Sequence, residues 1–169
     1  MLDADVFNPA VMTKNIAQID FRKMKRMGFQ KVIFDKDNTL TEPGKMTFPN
    51  EKIERGFKKA VKQFGKENII IQSEYKEHIY EEYYKKDLDK TFPGIKVITA
   101  GKGLRYGSRP YNFARLESHL DELHPKKDYQ LNKMAFIGDR LFDDVVYANK
   151  NQMVSIWLRE EFKKEDILR

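Results

Sequence analysis

Cysteine is absent from the 169 residues. Disulfides, thiolate zinc sites and cysteine nucleophiles are thereby excluded, and the composition fits a reducing compartment. No apolar run approaches the roughly 20 residues that cross a bilayer as a helix. The first residues, MLDADVFNPAV, carry Asp3 and Asp5 and no early arginine. They match neither a secretory signal nor an Arg-rich, acid-poor transit peptide. Internal repeats, low-complexity tracts and a recognisable second domain are missing as well. The three histidines, His78, His119 and His124, are scattered without ligand spacing, which suits surface or capping roles.

What is present is charge, mostly positive. Lys and Arg number 32 against 26 Asp and Glu, a net charge of +6. That balance favours an anionic partner: a phosphate ester, an acidic lipid surface, a nucleic acid or an acidic protein. Charge alone does not choose among them, and a solvated basic surface accounts for most of the lysines. No nucleic-acid recognition motif accompanies the charge, which disfavours that partner.

Hydrophobic periodicity alternates between strand and helix. Lys31 to Phe34, Asn68 to Gln72, Ile95 to Thr99, Met134 to Ile137 and Val154 to Leu158 are short apolar runs with turn residues beside them, and they predict five strands. Glu51 to Phe64 is the clearest amphipathic helix. Ile53, Phe57, Val61 and Phe64 form its apolar stripe, and Gly65 is its stop signal. Phe21 to Met27, Tyr75 to Lys86, Tyr111 to Leu123 and Val145 to Asn149 predict further helices, and a short one is expected near Val11 to Ile16. The alternation predicts one α/β domain over residues 1–169 with a mostly parallel sheet. Residues 1–30 are expected as a helical segment packed on it, and residues 160–169 as a charged tail. The 22 residues between Gln72 and Ile95 leave no room for a large inserted cap. Trp157, in an apolar strand, is expected in the core. Tyr75, Tyr80, Tyr83 and Tyr84 offer an aromatic contact for a lipid headgroup or partner, or pack inward in part.

Two predicted strands run into acids: KVIFDKDNTLTEP, residues 31–43, and MAFIGDRLFDD, residues 134–144. In an open parallel sheet, ligands bind beyond the carboxyl ends of the strands. Carboxylates gathered there repel one another unless a cation compensates them. Oxygen ligands without His or Cys select a hard cation, and Mg²⁺ is the natural candidate. A carboxylate beside Mg²⁺ also serves as a nucleophile towards phosphorus. On this reading Asp35 attacks, and Asp37, two residues on, protonates the leaving alcohol and then activates water. The plain alternative is that Asp, Asn and Thr are simply turn and helix-cap residues. A second acidic strand end, GDxxxxD, weighs against it.

FDKDNTLT and GDRLFDD resemble motifs one and four of the haloacid dehalogenase-like (HAD) phosphatases. More specifically, they resemble the branch of phosphatidylglycerophosphate phosphatases of mitochondria and plastids, with their bacterial relatives. The resemblance spans most of the chain, through VSIWLR near the end. It implies a Rossmann-like fold with minimal or no cap. It implies Asp35 as nucleophile and Mg²⁺ ligand, and Asp37 as acid/base with its backbone carbonyl on the metal. Asp139 would be a ligand, Asp144 would support the metal site, and Asn38 and Thr39 would hold the loop. The implied reaction is Mg²⁺-dependent conversion of phosphatidylglycerophosphate to phosphatidylglycerol, on the route to cardiolipin. It would take place on an anionic phospholipid surface at the matrix side of the mitochondrial inner membrane.

Two motifs depart from the family pattern. Motif two ends the second strand with a Ser or Thr that hydrogen-bonds the phosphoryl group, commonly within SNSAG. Here the chain reads IIIQSEYK. Either Ser73 serves and Glu74 stands for the Asn, or Gln72 aligns with the Asn and Ile71 takes the hydroxyl position. Motif three places a Lys before Pro. Here Arg109 precedes Pro110, with Lys102 and Arg105 as alternative cations. Arg keeps the charge but does not replace a compact ammonium in kind. A second reading follows: a divergent HAD fold, weakly active or inactive, serving as a subunit of a larger mitochondrial complex.

Overall fold

Val32-Ile33-Phe34, Ile69-Ile70-Ile71 and Ala135-Phe136-Ile137 are completely or almost completely buried. Strands with near-continuous apolar sequence need cover on both faces, which a parallel sheet between helices supplies. The computed structural model describes residues 4–73, 81–99 and 113–160. In chain order the regular elements are β1 (Val11–Thr13), α1 (Phe21–Arg26), β2 (Lys31–Asp35), α2 (Glu51–Phe64), β3 (Ile69–Ser73) and α3 (Glu81–Thr91). These are followed by β4 (Lys96–Thr99), α4 (Ala114–Leu123), β5 (Met134–Gly138), α5 (Val146–Lys150) and β6 (Val154–Leu158). The strands form one six-stranded sheet in the order β1-β6-β5-β2-β3-β4, and every pairing is parallel. This is the α/β, Rossmann-like architecture expected from the sequence.

The period of two divides each strand between two cores. Val32, Phe34, Ile69, Ile71, Ala135 and Ile137 face α1 and α2, where Phe21, Ile53, Phe57 and Phe64 pack against them. Ile33, Ile70 and Phe136 face the other way, onto Leu116 and Leu120 of α4 and Tyr147 and Ala148 of α5. α2 begins where the Asn50 side chain accepts the Ile53 N–H at 3.1 Å, and it stops at Gly65, whose φ of 80° is left-handed. Gly56 lets α2 approach the turn at Ile16–Gln18. A Cβ there would lie 3.0 Å from the Ala17 backbone.

The N-terminal segment differs from expectation. Val11 to Ile16 is not a helix: Val11–Thr13 is a strand, and Ile16–Gln18 a single 3₁₀ turn. The cause is the open edge of β6. Val11, Met12 and Thr13 pair with Ile156, Trp157 and Leu158. Pairing continues past the strands, with Arg159 N donating to Thr13 O and Glu160 N to Lys14 O. An unpaired edge of backbone N–H and C=O groups outweighs the weak helical propensity of a three-residue stretch. Of the charged tail expected over residues 160–169, residues 161–169 lie outside the described residues. Among the described residues, no helix is long and apolar enough to cross a membrane.

Candidate active site

β2 and β5 are adjacent and parallel, with Phe34 beside Ile137. Their carboxyl ends therefore release the chain side by side. Asp35 is the last residue of β2 and is 4% exposed. Asp139 follows Gly138, the last residue of β5, and Asp144 lies in the π-type turn Leu141–Val145, buried. One carboxylate oxygen from each of Asp35, Asp139 and Asp144 lies within 4.8 Å of the other two. Asp35, Asp139 and Asp144 thus meet, and Asp37, the fourth acid expected at the metal, is not in the group.

The turn after β5 is shaped to bring Asp144 back. Its Oδ2 accepts the Arg140 backbone N–H at 2.9 Å. A Cβ on Gly138 would sit 2.1 Å from that same oxygen, so glycine is required by space. The Trp157 indole N–H donates to the Asp139 carbonyl at 2.8 Å. Trp157 is therefore half-buried at the edge of the site rather than in the core. It fixes the main chain that carries Asp139. Arg140, at the start of the turn, pairs with Asp143 within it at 2.8 Å.

The turn after β2 is organised around Lys36. Its carbonyl accepts the backbone N–H groups of Leu40 at 2.8 Å and Thr41 at 3.0 Å. Its side chain is 1% exposed. The ammonium donates to Asp37 Oδ1 at 2.5 Å, Thr41 Oγ1 at 3.0 Å and the Lys45 carbonyl at 2.7 Å. Asp37 is thus held beside the acid trio and not within it, with its side chain 43% exposed. Asn38 and Thr39, expected to hold the loop, lie at its bend. Asn38 adopts φ 58°, a left-handed conformation that Asn tolerates. Its backbone N–H donates to Thr41 O at 2.8 Å. The side-chain oxygens Asn38 Oδ1 and Thr39 Oγ1 are buried and without a hydrogen bond among the described residues.

The sheet register bears on motif two. Gln72 of β3 lies directly beside Asp35. Neighbours in register point to the same face, so Gln72 shares Asp35's side and Ser73 alternates to the other. Ser73 is buried beside Thr99. The Gln72 Oε1 accepts the hydroxyl of buried Tyr147 at 3.1 Å, tying α5 to the strand end. Glu74, Tyr75, Tyr80, Lys102, Arg105 and Arg109 lie outside the described residues.

Three carboxylates without a nitrogen or sulfur ligand suit a hard divalent cation, and Mg²⁺ fits the donor set. Asp35 and Asp139 would hold it, with Asp144 alongside. Sequence reasoning missed Lys36, Gly138, Tyr147 and Trp157. The GD dipeptide was a signal for Gly138. Nothing in the pattern marked a lysine in an acidic turn as buried, since lysine is ordinarily exposed.

The family model described as "Mitochondrial PGP phosphatase" matches residues 1–163. Phosphatidylglycerophosphate phosphatase 1, chloroplastic/mitochondrial, of Arabidopsis thaliana is 29% identical over 153 residues, covering 88% of this chain and 39% of that protein. Phosphatidylglycerophosphate phosphatase 1, chloroplastic, of Chlamydomonas reinhardtii is 23% identical over 149 residues, covering 88% of this chain and 51% of that protein. The chain therefore spans about half the length, or less, of these curated relatives. No solved structure matches it. A match running over residues 1–163, from before β1 to beyond β6, takes in both acid-bearing strand ends, and the chain belongs to the mitochondrial PGP phosphatase family.

Proposed function

We propose that this chain is a Mg²⁺-dependent phosphomonoester hydrolase that converts phosphatidylglycerophosphate to phosphatidylglycerol through a phosphoaspartate on Asp35. The observation that carries the reading is the convergence of Asp35, Asp139 and Asp144 within 4.8 Å at adjacent strand ends. In the first half-reaction an Asp35 oxygen bonds to phosphorus as the bond from phosphorus to the glycerol oxygen breaks. That oxygen keeps the electron pair and takes a proton from Asp37. In the second, Asp37 removes a proton from water as the water oxygen attacks phosphorus. The bond to Asp35 breaks, and inorganic phosphate leaves. Mg²⁺, when bound, neutralises charge on the phosphoryl oxygens and on the acids around them. The net charge of +6 suits an anionic lipid surface. The family's description supports a mitochondrial place of action, and we assign the chain to the matrix side of the inner membrane.

Purified protein with Mg²⁺ is expected to release inorganic phosphate from phosphatidylglycerophosphate in mixed micelles, and Asp35→Asn to abolish the release. No phosphate from the wild type across a range of metals and detergents would reject the reading. One observation favours a second reading, a fold retained as a subunit of a larger assembly. Gln72, and not a hydroxyl, stands beside Asp35 in the sheet. That reading requires native purification to recover the chain in a large complex that Asp35→Asn leaves intact.

A further inference from the structure

We propose that Lys36 is a positioning residue that fixes one oxygen of Asp37 and leaves the other to carry the proton. The inference rests on the phosphatase reading above and assigns a role to the residue between its two aspartates. Lys36 is among the largest fully buried side chains of the protein. Burying a lysine is costly unless its charge is paired and its donors are satisfied. Here three acceptors, Asp37 Oδ1, Thr41 Oγ1 and the Lys45 carbonyl, match the three N–H donors of an ammonium. Two of the three belong to the turn that follows the acids. The third is the carboxylate itself.

The asymmetry within Asp37 is the decisive detail. Its Oδ1 accepts from Lys36 at 2.5 Å, from the Gly44 backbone at 3.3 Å and from Thr41 Oγ1 at 3.4 Å. Its Oδ2 makes no hydrogen bond to the described residues, while the side chain remains 43% exposed. An acid that must give a proton to an alcohol and later take one from water has to present the same oxygen twice. Pinning Oδ1 from a buried site removes the side-chain rotation that would otherwise blur that geometry. The turn cooperates. Asp37 also bridges Thr41 through the backbone, and the Asn38 N–H closes onto Thr41 O.

The test separates this role from a merely structural one by the leaving group. An alkyl phosphomonoester needs a proton on its departing oxygen, whereas p-nitrophenyl phosphate does not. Lys36→Met is expected to slow first-turnover release of the alcohol from the alkyl ester about 10–100-fold, a part of the roughly 10²–10⁴-fold that general-acid catalysis contributes. The first-turnover burst of p-nitrophenolate should fall by no more than about threefold, because that departure leans little on general acid. In the Asp37→Asn background, adding Lys36→Met should cost nothing further on the alkyl ester. Equal losses on both substrates, additive losses in the double variant, or an unchanged alkyl rate would each overturn the proposal. Should Lys36→Met fail to fold, Thr41→Val removes one acceptor at nearly constant volume and must show the same substrate bias at smaller size. A wild type with no Asp35-dependent turnover would sink the phosphatase reading instead. Positioning is then decided by the Lys36 ammonium in ¹H–¹⁵N spectra. A slowly exchanging signal that disappears in Asp37→Asn upholds the pinned carboxylate, and rapid exchange in the wild type refutes it.

Discussion

A methyl group at position 138 would land 2.1 Å from the Asp144 carboxylate. Two responses are open to the turn, and both move an acid: Asp144 rotates away, or the strand end shifts and takes Asp139 with it. Gly138→Ala is therefore expected to cost about 1–3 kcal/mol of stability, the usual penalty for forcing extra volume into a packed site. It should also weaken Mg²⁺ binding about 10–100-fold, as loss of groups that orient metal ligands does. Denaturant melts and isothermal titration of Mg²⁺ read the two effects. An alanine variant with native metal affinity would show that Asp144 does not need its observed position. Lys36 works at the same scale from the other strand end. One side chain decides which oxygen of Asp37 faces outward.

α4 illustrates how an element's packing sets a titration. His119 sits on its inner side with the side chain 12% exposed. Burial is the main cause that holds its pKa below 6.5, and Lys96 at the start of β4 adds to it, while Glu122 opposes. Between its folded value and 6.5 the unfolded chain binds more protons than the folded one, so this group's contribution to stability rises with pH there. As the pH falls through 6.5 that contribution is lost, and it levels off below the folded value. His119→Gln is expected to flatten this part of the stability–pH curve measured by urea denaturation. The same slope in wild type and variant would assign the pH dependence elsewhere. α2 shows the simpler case, in which local signals suffice. Asn50 caps it, Gly65 stops it, and exposed Glu54–Lys58 and Glu51–Arg55 pairs line its outer face. Such pairs contribute only about 0.3–0.5 kcal/mol each.

At the scale of the whole molecule, the sheet turns distant residues into neighbours. Asp35 and Asp139 are 104 positions apart in the chain, and the adjacency of β2 and β5 makes them one site. Three carboxylates held within 4.8 Å repel one another in the metal-free protein. Mg²⁺ is therefore expected to raise the thermal midpoint. A concentration of one hundred times Kd adds about 2.7 kcal/mol through mass action. Asp139→Asn should be more stable than wild type without metal and less responsive with it, so that the two titration curves cross. A wild type indifferent to Mg²⁺, or parallel curves for the two proteins, would argue against a divalent ion among these acids.

Local pattern determined much of this protein. The five apolar strands, the α2 stripe with its stop, and the acids at two strand ends were legible because periodicity and turn chemistry are properties of neighbouring residues. Tertiary structure decided what depends on distant partners. Val11–Thr13 is a strand because β6 offers an open edge 145 residues away, with Val11 beside Ile156. Gln72 and not Ser73 shares the face of Asp35 because the register of β3 against β2 is a pairing, and no single strand contains it. Trp157 turns its N–H to Asp139 for the same reason. Lys36 is buried because a turn closes over it with the acceptors its charge requires. Sequence spacing names the groups that meet at the end of a strand, whereas the side each one faces and the partner that holds it are set only when the sheet assembles.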